Sequence, residues 1–497
     1  MMPMISRRVF LSFLASGAAT AALSAPPAAS LRPVVRKGQQ AGKAVSDADA
    51  IIASGKLGGR VTYAVADANT GVRLEGRNAK TGTPPASVAK AVTALYALNV
   101  LGPAHRFSTR LFATGSVSGG VVQGDLVLVG GGDPTLDTNG LAALAAALKA
   151  KGIREVRGAF KVAEGALPYV KSIDKDQPDH VGYSPAITGV ALNYNRVHFE
   201  WKRSGGAYGV TMEARTDRLR PAVYVARMKI VDRRVPVYTY VDAGGADNWT
   251  VAKSALGNGG ARWLPVRKPA LYAGEVFQTL ARSHGIVLKA PKVVDRAPGG
   301  TVLAVNQSDD LRTILRDMLR YSTNITAEMV GLSATAKRTG RVPSNLRASA
   351  SEMNRWANAA LGTSSMQLVD HSGLGGASKM TADDMVQALV RAHGSAALRP
   401  MLKPVAMRDE KRRIIKNHPI TVDAKTGTLN YVSGLAGYMS AQNGRVLAFA
   451  VFAADEATRS RISKANREAP HGARGWNGRA KVMQQRLIDR WGALYGS

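Results

Sequence analysis

No cysteine occurs in the 497 residues. Disulfides, thiolate metal sites and a cysteine nucleophile are therefore excluded. A thiol-free chain suits a protein that crosses into an oxidising compartment. Histidine is also scarce, and the eight present show no paired metal-ligand spacing, which argues against a zinc peptidase. Gly130-Gly131-Gly132 lacks the lysine of a phosphate-cradling loop and the spacing of a dinucleotide fingerprint, so it reads as a loop after a strand. Beyond the N-terminal region no run approaches the roughly 18 apolar residues of a membrane helix, and no stable transmembrane anchor is expected. No internal repeat is visible. Acidic residues are few, 35 against 67 Lys and Arg, which leaves a net charge of +32.

That excess is spread out. Basic residues outnumber acidic ones in each of the stretches 1–100, 101–305 and 306–497. A nucleic-acid binder concentrates its charge on one face or tail, so no nucleic acid is expected. Attraction to an anionic polymer or membrane surface is the simpler reading. The N-terminus carries Ser6-Arg7-Arg8 before a weakly apolar stretch that ends in the small residues Pro27-Ala28-Ala29. Twin arginines in that setting resemble a twin-arginine export signal. The expectation is a cleaved signal over residues 1–29 and a periplasmic protein.

Hydrophobic periodicity then divides the chain. A short helix is expected over Asp47 to Leu57, then a hairpin of Arg60 to Ala66 and Gly71 to Glu75. Ser87 to Val100 reads as an apolar, buried helix. Between Gly102 and Val305 short alternating runs dominate: Val121 to Val129, Ala159 to Val162, Val190 to Trp201 and Val223 to Val231. Helices interrupt them at Leu141 to Lys151 and Tyr272 to His284. From Asp309 the pattern is helical again, with Thr381 as N-cap of a helix to His393. Three strands follow, Ile420 to Lys425, Val432 to Ala441 and Val446 to Ala453. Asn443-Gly444 reads as a two-residue turn between the last two. A helix over Gly478 to Leu494 closes the chain. The pattern predicts an α+β fold: one domain, 30–101 with 306–497, built from both ends, around an insertion at 102–305 that holds two strand-rich subdomains.

Three motifs carry chemistry. In Ser87-Val88-Ala89-Lys90 helical spacing puts the lysine one turn from the serine. A serine hydroxyl needs a base, and a desolvated lysine with a lowered pKa can serve. A second Ser-x-x-Lys, Ser172-Ile173-Asp174-Lys175, lies in a charged, Pro-interrupted stretch and reads as a solvated loop. Ser322-Thr323-Asn324 can relay a proton and hold a substrate amide, although Ser and Asn also suit a helix cap. Lys425-Thr426-Gly427-Thr428 lies on a strand, where the lysine can hold a carboxylate and the glycine admits a close backbone. Its decoy, Lys80-Thr81-Gly82, runs into Pro84-Pro85 and reads as a turn.

Together and in this order the motifs resemble those of penicillin-recognising serine enzymes. Residues 88–321 separate Ser87 from Ser322, far more than in a class A β-lactamase. The chain is similar to the D-alanyl-D-alanine carboxypeptidase/endopeptidase family typified by penicillin-binding protein 4, class C of low molecular mass. Gly124 to Pro134, Pro185 to Asn195 and Val432 to Tyr438 also look like that family. His371, in Asp370-His371-Ser372-Gly373-Leu374, stands where the family usually has glycine. The resemblance implies a penicillin-recognising, transpeptidase-like domain that hydrolyses peptidoglycan peptides through an acyl-enzyme, with no metal or cofactor. It implies catalytic roles for Ser87, Lys90, Ser322 and Asn324, and substrate binding by Lys425, Thr426, Gly427 and Thr428. The backbone N–H groups of Ser87 and Thr428 would form the oxyanion hole. β-Lactams should acylate Ser87. A β-lactamase-like hydrolase using the same site and a non-catalytic wall-binding protein are the alternatives.

Overall fold

The computed structural model describes residues 45–395, 397–409 and 413–496. The expected export segment, 1–29, lies outside them. The central element is a six-stranded antiparallel sheet. Its order is Lys403–Pro404, Thr421–Leu429, Val432–Ser440, Val446–Ala454, Arg60–Asp67 and Arg73–Arg77. Arg60–Asp67 pairs along its whole length with Val446–Ala454, Arg60 opposite Ala454 and Asp67 opposite Leu447. Strands near the two ends of the described chain therefore lie side by side.

Both faces of this sheet are covered, which is why Val446–Ala454 reads as an unbroken apolar run rather than an alternating one. One face packs on the helices Ala89–Leu101, Leu311–Tyr321, Leu346–Leu361 and Ala382–His393. The other carries the closing helix Ala473–Tyr495 and the short helix Ala48–Ser54. Ala89–Leu101 is buried on nearly every side, as its Ala-rich, almost uncharged sequence requires. Thr381 does cap its helix, accepting from the Asp384 N–H at 2.9 Å.

Residues between Ser108 and Gln307 form the strand-rich part. A five-stranded mixed sheet and three three-stranded sheets share one apolar cluster, into which the helices Thr138–Ala150 and Pro269–Ser283 pack. Two expected strands are shorter than their apolar runs. Val121 to Val129 breaks into Val121–Val122 and Leu126–Val129, because the backbone at Gly124 lies against Gly115, where a Cβ would meet the Gly115 nitrogen at 2.6 Å. Val190 to Trp201 starts its strand only at Arg196: Asn193, Tyr194 and Asn195 are all left-handed. The two asparagines hold that turn, Asn195 accepting from the Leu192 N–H and Asn193 from the Thr138 N–H.

The Asn443-Gly444 hairpin also differs from the two-residue turn expected. The Gly444 N–H bonds the Ala441 carbonyl, and Ala441 still donates to Arg445 at 2.9 Å. Gly444 has φ +82, whereas Asn443 has no positive φ. The loop is one residue longer, a turn followed by a glycine bulge. That glycine supplies the left-handed residue the asparagine would otherwise have to adopt.

Candidate active site

The serine helix opens in a single tight turn, Ala86–Val88, and becomes α-helical only at Ala89. Ala86 is fully buried and left-handed, φ +47, a conformation that costs energy for a residue with a Cβ. Gly373 permits it. A Cβ there would stand 1.9 Å from the Ala86 carbonyl oxygen. The strained turn sets Ser87 at the helix entry with Lys90 below it.

The Lys90 ammonium is fully buried and makes three contacts: Ser87 Oγ at 2.9 Å, Asn324 Oδ1 at 2.7 Å and the Ser372 carbonyl at 2.8 Å. Burial, with the Lys425 charge next, lowers its pKa to about 7. Lys425 is nearly as buried and donates to Ser322 Oγ at 3.0 Å and to the Thr426 carbonyl at 2.8 Å. Burial, and then the Lys403 charge, lowers it to about 8. Ser322 is left-handed, φ +59, and ends helix Leu311–Tyr321, while Asn324 opens the next helix, Asn324–Thr339. That corner turns both side chains toward the two lysines.

Gly427 lets its strand reach the serine turn. A Cβ there would meet the Pro85 carbonyl at 2.6 Å and the Ser87 nitrogen at 3.1 Å. Thr426 and Thr428 are exposed. Among the described residues the outer edge of the strand is paired over 422–424, so residues 426–429 present an open edge. An extended peptide can add there as a further strand. The resulting cleft, about 340 Å³, is lined by Ser87, Ser322, Asn324, Leu374 and Thr428, with Lys90 and Lys425 beneath. The structure thus brings Ser87, Lys90, Ser322, Asn324 and the 425–428 strand into one place. The decoys Ser172 and Lys80 fall on irregular segments.

Several further groups were not identified from the sequence. Glu328, fully buried, accepts the His371 N–H at 2.9 Å and the Ser372 N–H at 2.8 Å. It therefore holds the residue, Ser372, whose carbonyl accepts from Lys90. Asp370 accepts from the Gly373 and Gly375 N–H groups, both at 2.6 Å. Burial holds both carboxyls above the usual range, and the Asp370 charge adds to it at Glu328. An acid inside the apolar stretch Ile325 to Val330 was the signal available. His371 is buried and neutral, its pKa lowered to about 3 by desolvation. It does not line the cleft, and its backbone carbonyl accepts from Thr93 Oγ1 at 2.7 Å.

The cleft has a roof. Its strap, residues 171–184, contains the discarded Ser172-to-Lys175 copy, and Gln177 and Tyr183 line the cleft. The Tyr183 carbonyl accepts from Asn324 Nδ2 at 3.0 Å. Buried Arg267 pins the strap through the carbonyls of Lys171, Asp179 and Ser184. Two ion pairs and a hydrogen bond then latch it to the C-terminal segment: Asp179 to Lys464 at 3.0 Å, Asp176 to Arg467 at 3.7 Å, and His180 to Glu468 at 2.7 Å. Arg262 also pairs with Glu468. The strap is not the solvated loop its charge suggested.

Among the described residues no helix is long and apolar enough to cross a membrane, and no group of three or more His, Asp or Glu is placed to hold a metal.

Residues 44–470 match the model of the D-Ala-D-Ala carboxypeptidase 3 (S13) family. The chain is 28% identical over 478 residues to a D-alanyl-D-alanine carboxypeptidase of Actinomadura sp. (strain R39), covering 87% of each. It is 30% identical over 414 residues to a carboxypeptidase of Mycobacterium tuberculosis, covering 81% of this chain and 77% of that one. Its structure superposes on the crystal structure of penicillin binding protein 4 from Haemophilus influenzae with a TM-score of 0.73 at 19% identity. That match covers 91% of this chain and 100% of the other. The likeness shows a shared penicillin-recognising fold.

Proposed function

The chain belongs to the D-Ala-D-Ala carboxypeptidase 3 (S13) family of serine-type peptidases, and we propose that it hydrolyses peptidoglycan peptides with Ser87 as nucleophile. The observation that carries this is the 2.9 Å contact between the buried Lys90 ammonium and Ser87 Oγ. With its pKa near 7, a large fraction of Lys90 is neutral around neutral pH and can take the hydroxyl proton. Ser87 Oγ then bonds the carbonyl carbon before the terminal D-alanine or cross-linking residue. The carbonyl oxygen gathers negative charge between the N–H groups of Ser87 and Thr428. The C–N bond breaks as the leaving amine receives a proton from Lys90, with Ser322 in the relay. Asn324 orients the peptide, and Lys425 and Thr426 hold the leaving residue's carboxylate. Water gives a proton to the now neutral Lys90 as it adds to the acyl carbon, the bond to Oγ breaks, and Lys90 passes that proton to Ser87.

This mechanism makes β-lactams acylating inhibitors, since their amide opens on Ser87 without releasing a leaving group. The catalytic domain comprises 30–101 and 306–497, with 102–305 inserted. Ser6-Arg7-Arg8 supports delivery to the periplasm by the twin-arginine route. The test is to treat the protein with fluorescent penicillin and, separately, with pentapeptide muropeptides. Wild type should be labelled and should release D-alanine, and Ser87→Ala should do neither. Equal labelling of the variant would remove Ser87 from the role.

A further inference from the structure

Beside the cleft a second cavity of about 690 Å³ opens between helix Leu311–Tyr321 and the sheet edge. Its lining is cationic: Arg316, Arg320, Arg399 and Lys403, with His393 and one acid, Asp423. Arg399 is already engaged, bonding Asp423 at 2.9 Å and Ser440 Oγ at 2.7 Å. Arg316, Arg320 and Lys403 are exposed, and among the described residues none lies within ion-pair distance of a carboxylate. Three cations without a salt bridge around one concave surface repel each other, and an anion bound among them would relieve this.

The cavity neighbours the cleft, close enough for the charge of its Lys403 to act on Lys425. Arg320 stands two residues before Ser322, whose hydroxyl receives Lys425. Asp423 and Lys425 are two apart on one strand, so they share a face about 7 Å apart. Lys403 pairs opposite Ala424, next to Lys425. The open edge at residues 426–429, where the acyl peptide would add, lies on the other side of Lys425. The cavity therefore extends the leaving-group side.

We propose that this cavity is a leaving-group subsite for a peptide carrying several carboxylates. The inference rests on the mechanism above. A free D-alanine has one carboxylate, which Lys425 takes, and nothing further to place among the arginines. A cross-linked partner strand leaves with additional carboxylates, and these meet Arg316, Arg320 and Lys403. The pocket thus biases the enzyme toward cutting cross-links.

The experiment compares wild type with the double substitution Arg316→Ala/Arg320→Ala. Both side chains are exposed, so the fold should survive, and unchanged penicillin labelling checks this. On a cross-linked peptide dimer kcat/KM should fall about tenfold, through KM, and the deficit should shrink with added salt. On a pentapeptide losing D-alanine it should stay within about twofold. Equal losses on both substrates, or none on the dimer, overturn the subsite. Should wild type cleave neither substrate, the mechanism has failed and binding decides separately. Calorimetry with an N-acetyl tri-D-glutamate peptide must then show weaker binding to the double variant. Equal binding overturns the subsite, as does binding of poly(glycerol phosphate) without the carboxylate peptide.

Discussion

His371 occupies the space where Gly331 would carry a side chain: a Cβ on the glycine would stand 2.2 Å from the imidazole Cγ. Helix Asn324–Thr339 thus owes its mid-helix glycine to one buried ring. That ring also contacts Ser349 Oγ at 2.8 Å and Met353 Sδ at 3.3 Å. Gly331→Ala should destabilise the protein by about 1–3 kcal/mol through overpacking. Adding His371→Gly should recover part of that loss. Urea denaturation of the two single variants and the double variant measures the coupling, and strictly additive effects would remove it.

Glu328 acts one layer behind Lys90. Glu328→Ala leaves the buried His371 and Ser372 N–H groups unpaired, at a cost of about 2–4 kcal/mol. It also loosens the residue whose carbonyl holds Lys90, so acylation by penicillin should slow at least tenfold. Stopped-flow acylation beside thermal unfolding separates the two effects. Normal acylation in a destabilised variant would limit Glu328 to structure.

The two active-site lysines are asked for opposite protonation states. Lys90 must lose its proton to act as base, so kcat/KM should rise as pH passes about 7. Lys425 must keep its proton to hold a carboxylate, so kcat/KM should fall as pH passes about 8. The pH–rate profile should be a narrow bell, with limbs that belong to the coupled pair. Lys425→Arg should push the alkaline limb upward while leaving the acid limb in place. A profile flat from pH 6 to 10 would contradict the assignment.

The strap should loosen in acid. The His180 hydrogen bond, then Arg262, holds the Glu468 carboxyl down at about 2, against 4.5 unperturbed. A depressed carboxyl contributes stability that is present above the unperturbed value and lost as pH falls toward the folded one. Wild type should therefore lose more Tm between pH 6 and pH 3 than Glu468→Gln does, and should become open to proteolysis within 171–184. Parallel acid curves for the two proteins would show that the latch contributes nothing.

Motif chemistry was legible because it is local. Ser87 and Lys90 sit one turn apart, and glycine after Lys425-Thr426 announces a close approach. What the sequence could not display was what lies behind the lysines. Glu328 reads as one acid in an apolar helix until the Ser372 peptide is seen against it. His371 looked like a departure from a glycine position, and its partner, Gly331, lies on a helix 40 residues earlier. The strap was misread because its charges suit solvent equally well. Their partners, Lys464, Arg467 and Glu468, come from the far end of the chain. The strand breaks at Gly124 and Asn193–Asn195 depend on backbone contacts that apolar periodicity does not encode.

The pairing of Arg60–Asp67 with Val446–Ala454 also sets a timetable. During synthesis the first of these strands emerges long before its partner exists, and until then one of its edges is unpaired. Closing the sheet requires a contact spanning nearly the whole chain, which makes folding slow. Ser87 is translated early, whereas Lys425 and the strand it rides on come late. The nascent chain therefore carries its nucleophile without the groove that presents a substrate to it. Activity switches on only when the last strands arrive, so a ribosome-bound or truncated chain is inert toward the wall it is built to cut.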